Sequence, residues 1–399
     1  MISNRHQVLI KGMRIYSENQ IIESGYIKIE NQKIMELGMI EDLKSEEGFE
    51  VFEVPSHYHA IPGLIDVHIH GVNGADTMDA TEDALSIMTT VLPKEGTTSF
   101  LATTITQEAS EVERAIVNAG EYIQKQSSQG KAEVLGIHLE GPFVNKKMAG
   151  AQPIEHIIDP DLDLFKKWQE KALGNIRLVT IAPEQPDAIE MIRYLKESGV
   201  IASIGHTNAT YEQVSEAIEA GANHVTHLYN QMRGLHHREP GVVGAAFLRD
   251  ELKAEIIADG IHVCSEMVKL AYHQKQSDGL ILITDSMRAK CLKNGKYDLG
   301  GQEVTVEEGK AVLKDGTLAG STLRLGHALK NMMAFTGCPL NEAIEMASAN
   351  PAKQLDIYDR KGSIAVNKDA DIVILNDEME VIMTFCRGKL AFHKEENEE

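Results

Sequence analysis

The stretch Pro62-Gly63-Leu64-Ile65-Asp66-Val67-His68-Ile69-His70-Gly71 decides the fold. It is a short apolar run that ends in polar side chains, and it is too brief for a helix. Side chains two apart along a strand share a side, so His68 and His70 can face one point together. Seven further apolar runs follow, at 98–105, 133–139, 177–182, 200–205, 224–228, 255–258 and 280–284. Between them lie amphipathic, helix-like stretches such as 107–126, 186–197, 211–220 and 265–275, with two more at 323–336 and 340–349 after the last run. Alternation of strand and helix implies a parallel sheet. Eight such units over about 300 residues fit a closed (β/α)8 barrel of the TIM type better than an open sheet.

The two ends of the chain read differently. Residues 1–58 carry short alternating runs such as Tyr26-Ile27-Lys28-Ile29 and Val51-Phe52-Glu53-Val54, broken by the turn residues Asn31, Gly38, Gly48 and Pro55. Residues 362–399 repeat the pattern in Ser363-Ile364-Ala365-Val366, Asp371-Ile372-Val373-Ile374-Leu375 and Val381-Ile382-Met383-Thr384. Both ends are expected to pair into one small, discontinuous β-sandwich, 1–58 with 362–399, beside a catalytic barrel spanning 59–361.

Composition narrows the function. Of 399 residues, 43% are hydrophobic and spread along the length, as in a globular protein with a large core. Sixty acidic against 39 basic residues give a formal charge of -21. That field repels a phosphate backbone, so nucleic acid is excluded as a partner. A small anionic substrate needs a local arginine or metal to work against it. No apolar run approaches the roughly 20 residues that span a bilayer. The start, Met1 to His6, lacks the apolar segment and cleavage site of a signal peptide. Cys264, Cys291, Cys338 and Cys386 are scattered without CxxC spacing and read as reduced thiols, which points to the cytoplasm. The single Trp168 lies in an amphipathic stretch and reads as core packing.

The ends of the runs carry the chemistry. The first closes on His68 and His70, the third on His138-Leu139-Glu140-Gly141-Pro142, and the fifth on Gly205-His206-Thr207. Thr226-His227-Leu228-Tyr229-Asn230 closes the sixth and Thr284-Asp285-Ser286 the eighth. Catalytic groups of such barrels gather at the C-terminal rim of the strands. Each residue alone has a plainer explanation: polar groups at a strand edge, a hydrogen-bonded core histidine, a helix cap at Asp285. Together, five elements deliver imidazole and carboxylate to one mouth. Buried without partners these groups cost several kcal/mol each, so their convergence points to a metal.

The opening stretch, with Asp369-Ala370-Asp371-Ile372-Val373-Ile374-Leu375 near the end, resembles the amidohydrolase superfamily. More narrowly, several motifs resemble the N-acetylglucosamine-6-phosphate deacetylases. They are His138 to Phe143, Gly205-His206-Thr207-Asn208-Ala209, His227-Leu228-Tyr229-Asn230, His237-Arg238-Glu239-Pro240-Gly241, Ile257-Ala258-Asp259-Gly260-Ile261-His262, and Thr284-Asp285. Many amidohydrolases bridge two metals with a modified lysine after the fourth strand. Here that strand ends Thr180-Ile181-Ala182-Pro183-Glu184, without lysine, and Glu140 stands in its place.

The resemblance implies that Glu140, His206 and His227 hold a principal divalent metal, with His68 and His70 supplying a second ion bridged through Glu140. One or two ions of Zn²⁺, Fe²⁺ or Mn²⁺ suit these nitrogen and oxygen ligands. It implies that Asp285 acts as general base and then general acid in hydrolysis of an acetamide by a metal-activated water, with His262 helping to stabilise the oxyanion. Ala151 and Gln152, Asn230 and Gln231, Arg238, and Leu318, Ala319 and Gly320 occupy positions where the family touches the phosphorylated N-acetyl amino sugar. Arg238 corresponds to the phosphate-binding arginine. Gln231 stands where alanine is frequent and Gln152 where histidine can occur, which opens the alternative of N-acetylgalactosamine 6-phosphate as substrate. His236 and His237 fit either the mouth or a subunit interface, and the family implies a homodimer. A cyclic-amide hydrolase or deaminase is disfavoured by the missing lysine and by Arg238. A non-catalytic assembly protein on the same fold should have lost ligands that this chain keeps.

Overall fold

Eight aliphatic runs become strands because both faces of each are covered, one by the barrel interior and one by helices. They are β1 (Leu64–Ile69), β2 (Thr97–Thr104), β3 (Glu133–Glu140), β4 (Ile176–Ile181), β5 (Ile201–Ile204), β6 (His224–Val225), β7 (Lys253–Ile256) and β8 (Leu280–Leu282). The computed structural model describes residues 7–127 and 130–394. The start at 1–6 and the acidic tail beyond 394 lie outside the described residues. The eight strands run parallel in chain order. The ring closes between β8 and β1, where Asp285 N–H donates to His68 O at 2.8 Å and His70 N–H donates to Ser286 O at 2.9 Å.

A helix follows every strand: Glu82–Val91, Ala109–Lys125, Leu162–Lys171, Ala188–Glu197, Tyr211–Ala220, Gly241–Leu248, Ser265–Lys275 and Leu325–Thr336. Helix 109–125 buries Val112, Ala115, Ile116 and Ala119, one stripe at helical spacing. Thr210 starts the helix at 211 with a reciprocal capping box to Gln213. Helix 241–248 escaped the sequence reading because Gly-Val-Val-Gly-Ala-Ala-Phe-Leu has no polar face to reveal a period. Trp168 is fully buried, against Phe143.

The terminal segments form two facing sheets. One has Lys33–Met39, Gly25–Glu30, Gln7–Lys11 and Glu50–Glu53 side by side. The other has six strands, in which Ile372–Leu375 pairs antiparallel with His59–Pro62, joining the chain's end to its beginning. Ile10, Ile15, Ile27, Ile372, Ile374 and Phe385 fill the space between them. Residues 363–366, read above as strand-like, make only a single bridge, Ser17 to Ile364. Between 286 and 322 no strand or helix was expected, and only Leu318, Ala319 and Gly320 stood out. There the chain builds a three-stranded antiparallel sheet from Gly295–Leu299, Gln302–Glu307 and Lys310–Val312. Among the described residues no helix is long and apolar enough to cross a membrane, and all four cysteines are free.

A buried ion cluster ties the C-terminal segment to the barrel. Lys361, 1% exposed, lies 2.9 Å from Glu133 on β3 and also pairs with Asp371, while Arg360 bridges Glu133 and Asp369 at 2.9 and 2.8 Å. Burial pushes Glu133 up, yet Lys361 and Arg360 outweigh it and hold the carboxyl at about 2. A carboxyl depressed from 4.5 to about 2 stabilises the fold above pH 4.5 and loses that contribution as pH falls towards 2. Removing one buried partner strands the others, so Lys361→Met should cost about 3–5 kcal/mol in urea unfolding at neutral pH. A loss under 1 kcal/mol would show that the cluster is not a tie.

Candidate active site

All the ligand-type residues named from the sequence arrive at the C-terminal rim. Alternation along β1 turns His68 and His70 inward, both under 3% exposed. Glu140 is the last residue of β3. His206, His227 and Asp285 stand just beyond β5, β6 and β8, and all three have left-handed backbone, with φ of 46°, 31° and 48°. Non-glycine residues there cost on the order of 1–3 kcal/mol each and persist only where the surroundings enforce them. Gly141, with φ of +82°, is needed after Glu140, because a Cβ would sit 2.0 Å from the Thr106 hydroxyl.

The side chains converge closely. Glu140 Oε1 lies 3.2 Å from His206 Nε2, 3.3 Å from His227 Nε2 and 3.4 Å from His68 Nε2. Its other oxygen, Oε2, lies 3.2 Å from His70 Nε2. Asp285 Oδ1 is 3.2 Å from His70 Nε2 and 3.4 Å from His68 Nε2. Two groups of three donors form around this carboxylate pair, Glu140 with His206 and His227, and His68 and His70 with Asp285.

The electrostatics show what the cluster accommodates. Burial pushes Glu140 up, but His68, His206 and His227 outweigh it and hold the carboxyl well below the ordinary carboxylate range. Asp285 is likewise lowered by His68 and His70 against the effect of burial. Burial favours neutral His70, yet Asp285 and Glu140 raise it to about 9, and His68 is raised well above its ordinary value by Glu140, Glu255 and Asp285. The field therefore draws positive charge to the centre. His206 Nε2 and His227 Nε2 sit 3.0 Å apart, two ring nitrogens aimed at one spot. A divalent cation with nitrogen and oxygen ligands meets both demands, and these residues fit one.

Behind the donors stands a supporting layer that the sequence reading missed. Glu255 on β7 is fully buried and accepts from His68 Nδ1 at 2.9 Å, His224 Nε2 at 3.0 Å and the His227 backbone N–H at 3.0 Å. It thereby fixes the ring of His68 with Nε2 facing the centre. The signal was a lone acid in the buried strand Lys253-Ala254-Glu255-Ile256, which looks like an ordinary alternating edge. Met148 O accepts from His206 Nδ1 at 2.8 Å, and Asp259 lies 2.6 Å from His262 Nδ1. Burial lowers His262, and Asp259 more than restores it, so the ring is raised above its ordinary value.

The remaining predicted residues divide. Ala151, Gln152, Asn230, Gln231, His262, Leu318 and Gly320 line the cavity over the cluster. Gln152 also reaches down, its Nε2 donating to Glu140 Oε2 at 2.9 Å while its Oε1 accepts from Thr106 N–H at 2.8 Å. Ala319 is buried behind the wall. Arg238 is not among the lining residues. It is exposed on the 233–240 loop with its guanidinium 2.6 Å from His237 Nε2, and His236 stacks on His237.

The amidohydrolase family model matches residues 59–391, the barrel together with the C-terminal strands. This chain belongs to the amidohydrolase family. Within that family it is 51% identical, over 98% of both chains, to the N-acetylglucosamine-6-phosphate deacetylase of Bacillus subtilis (strain 168). The N-acetylgalactosamine-6-phosphate deacetylase of Escherichia coli O157:H7 is 37% identical, over 83% of this chain and 87% of that one. Among solved structures, a Mycobacterium smegmatis N-acetyl-D-glucosamine-6-phosphate deacetylase in complex with N-acetyl-D-glucosamine-6-phosphate superposes with a TM-score of 0.90. It is 28% identical and covers 97% of this chain and 99% of its own.

Loss of Glu255's charge should loosen the cluster without unfolding the barrel. Glu255→Gln is expected to weaken metal affinity about 10- to 100-fold, read by competition with a chelator. Unchanged affinity would reduce Glu255 to a packing role.

Proposed function

We propose that this amidohydrolase removes the acetyl group of N-acetyl-D-glucosamine 6-phosphate, giving glucosamine 6-phosphate and acetate. The observation that carries the assignment is Asp285, a carboxylate at the floor of the cavity, in contact with His68 and His70 and one imidazole removed from Glu140. A divalent cation at this cluster supplies Lewis-acid polarisation of the amide carbonyl and lowers the pKa of water.

The chain's own groups do the rest. Asp285, kept anionic by the neighbouring imidazoles, takes the proton of the attacking water. An amide nitrogen leaves poorly until protonated, so Asp285 returns that proton to the departing amine. His262, its Nδ1 side engaged by Asp259, turns its other nitrogen to the cavity and donates to the carbonyl oxygen as charge develops there. Glu140, His206 and His227 would hold one divalent ion, and His68 and His70 would hold a second. Zn²⁺, Fe²⁺ and Mn²⁺ all suit the donor set.

Among the described residues, those lining the cavity include no lysine or arginine. A phosphate dianion in a chain of charge -21 needs a cation, and the nearby loop offers Arg238. We infer that Arg238 binds the phosphate at the rim and that the exposed Leu235, His236 and His237 around it meet a second copy of this chain in a homodimer. Four free thiols suit a reducing cytoplasm.

The test is acetate release from the gluco and galacto epimers side by side, with metal content measured on the same sample. Higher kcat/KM on the galacto sugar would overturn the substrate choice. Asn tolerates the left-handed backbone at 285, so Asp285→Asn should keep its metal yet lose about 10²- to 10⁴-fold in kcat. Near-normal kcat would remove Asp285 from proton transfer. Arg238→Ala should raise KM about 10- to 100-fold, the value of about 1.5–3 kcal/mol for a charged hydrogen bond, with kcat little changed.

A further inference from the structure

The two sides of the cavity differ in chemistry. Towards β6 and β7 it is lined by Asn230, Gln231 and His262, and towards β8 and β2 by Ile105, Leu299 and Leu318. Ile105 follows β2 directly, and Leu299 ends the first strand of the three-stranded sheet inserted after β8. Both are 2% exposed and belong to one apolar cluster, with Met287 and Ala319 packed behind them.

This wall is held in place. Gln302 Nε2 donates to Ala151 O at 2.6 Å, and the Gln107 amide donates to Gly300 O, so the turn after Leu299 is tied to the loops after β2 and β3. Gly300 has φ of +56°, and a Cβ there would meet Ile105 at 3.1 Å. A hydroxylated, phosphorylated hexose gains little from such a surface, whereas a methyl group does. The scissile amide has two substituents, the sugar on nitrogen and the methyl on carbon, and the cavity sets an apolar patch of Ile105, Leu299 and Leu318 beside its polar lining.

We propose that Ile105 and Leu299, completed by Leu318, form the pocket for the acyl group, and that their rigid packing restricts hydrolysis to short N-acyl chains. The inference rests on the deacetylase reading above. The reaction is unchanged in its balance: water adds across the C–N bond, giving a carboxylic acid and an amine, and only the length of the acid varies. Ile105 and Leu299 set specificity and take no part in proton transfer.

The test compares N-acetyl-, N-propionyl- and N-butyryl-glucosamine 6-phosphate on the metal-loaded full-length protein. The wild type should prefer acetyl, losing about 10- to 200-fold in kcat/KM for each added methylene. Leu299→Ala and, separately, Ile105→Ala should raise the butyryl-to-acetyl ratio at least 10-fold. Val304→Ala, in the same apolar cluster but outside the cavity lining, should leave that ratio unchanged. Ratios within 2-fold of wild type in both pocket variants would overturn the proposal, and so would an equal shift in Val304→Ala, which would mean general loosening. Should Leu299→Ala not fold, Ile105→Ala and Ile105→Val carry the comparison. Wild-type inactivity on all three sugars overturns the deacetylase reading, and this inference with it.

Discussion

The carboxylate of Glu140 is 3% exposed and surrounded by the imidazoles of His68, His70, His206 and His227 within 3.4 Å. A buried anion of this kind is tolerated only where cationic charge is supplied, because isolated burial costs far more than a domain's whole stability. Every neighbouring choice follows from that. Five strands must end at one level for their donors to meet. Three residues must accept left-handed backbone to turn inward. Glu255 must be buried as a second anion to hold His68 in one orientation, and its carboxylate is met by ring nitrogens of His68 and His224.

Much of this was legible because the barrel imposes short apolar strands with chemistry at their ends. The run read at 177–182 is a strand at Ile176–Ile181, and the helix read at 265–275 has those bounds. The run at 224–228 yields only His224–Val225, since the backbone turns left-handed at His227 to present its ring. The strands of the inserted sheet were not legible. Gln302–Glu307 alternates, with Val304 and Val306 buried, but Glu303, Thr305 and Glu307 face water and the segment reads as a loop. One of its apolar partners, Ile105, lies far away in sequence.

The residues that converge as candidate ligands were readable from type and position, and the supporting set was not. His68, His206 and Asp285 announce themselves by ending a run. Glu255 and Gln152 act through partners that only the closed ring brings near, and Arg238 matched a motif yet stands outside the cavity. Motif reading finds what a residue can do, whereas distance decides whom it does it to.

The seam where the last strand meets the first has a consequence for how this molecule fails. Two hydrogen bonds there, from Asp285 to His68 and from His70 to Ser286, join the backbone segments that bring His68, His70 and Asp285 together. Architecture and reactivity thus share one suture. Separating the first and last strands at this joint would draw Asp285 away from His68 and His70, so the closed ring and the cluster stand or fall together.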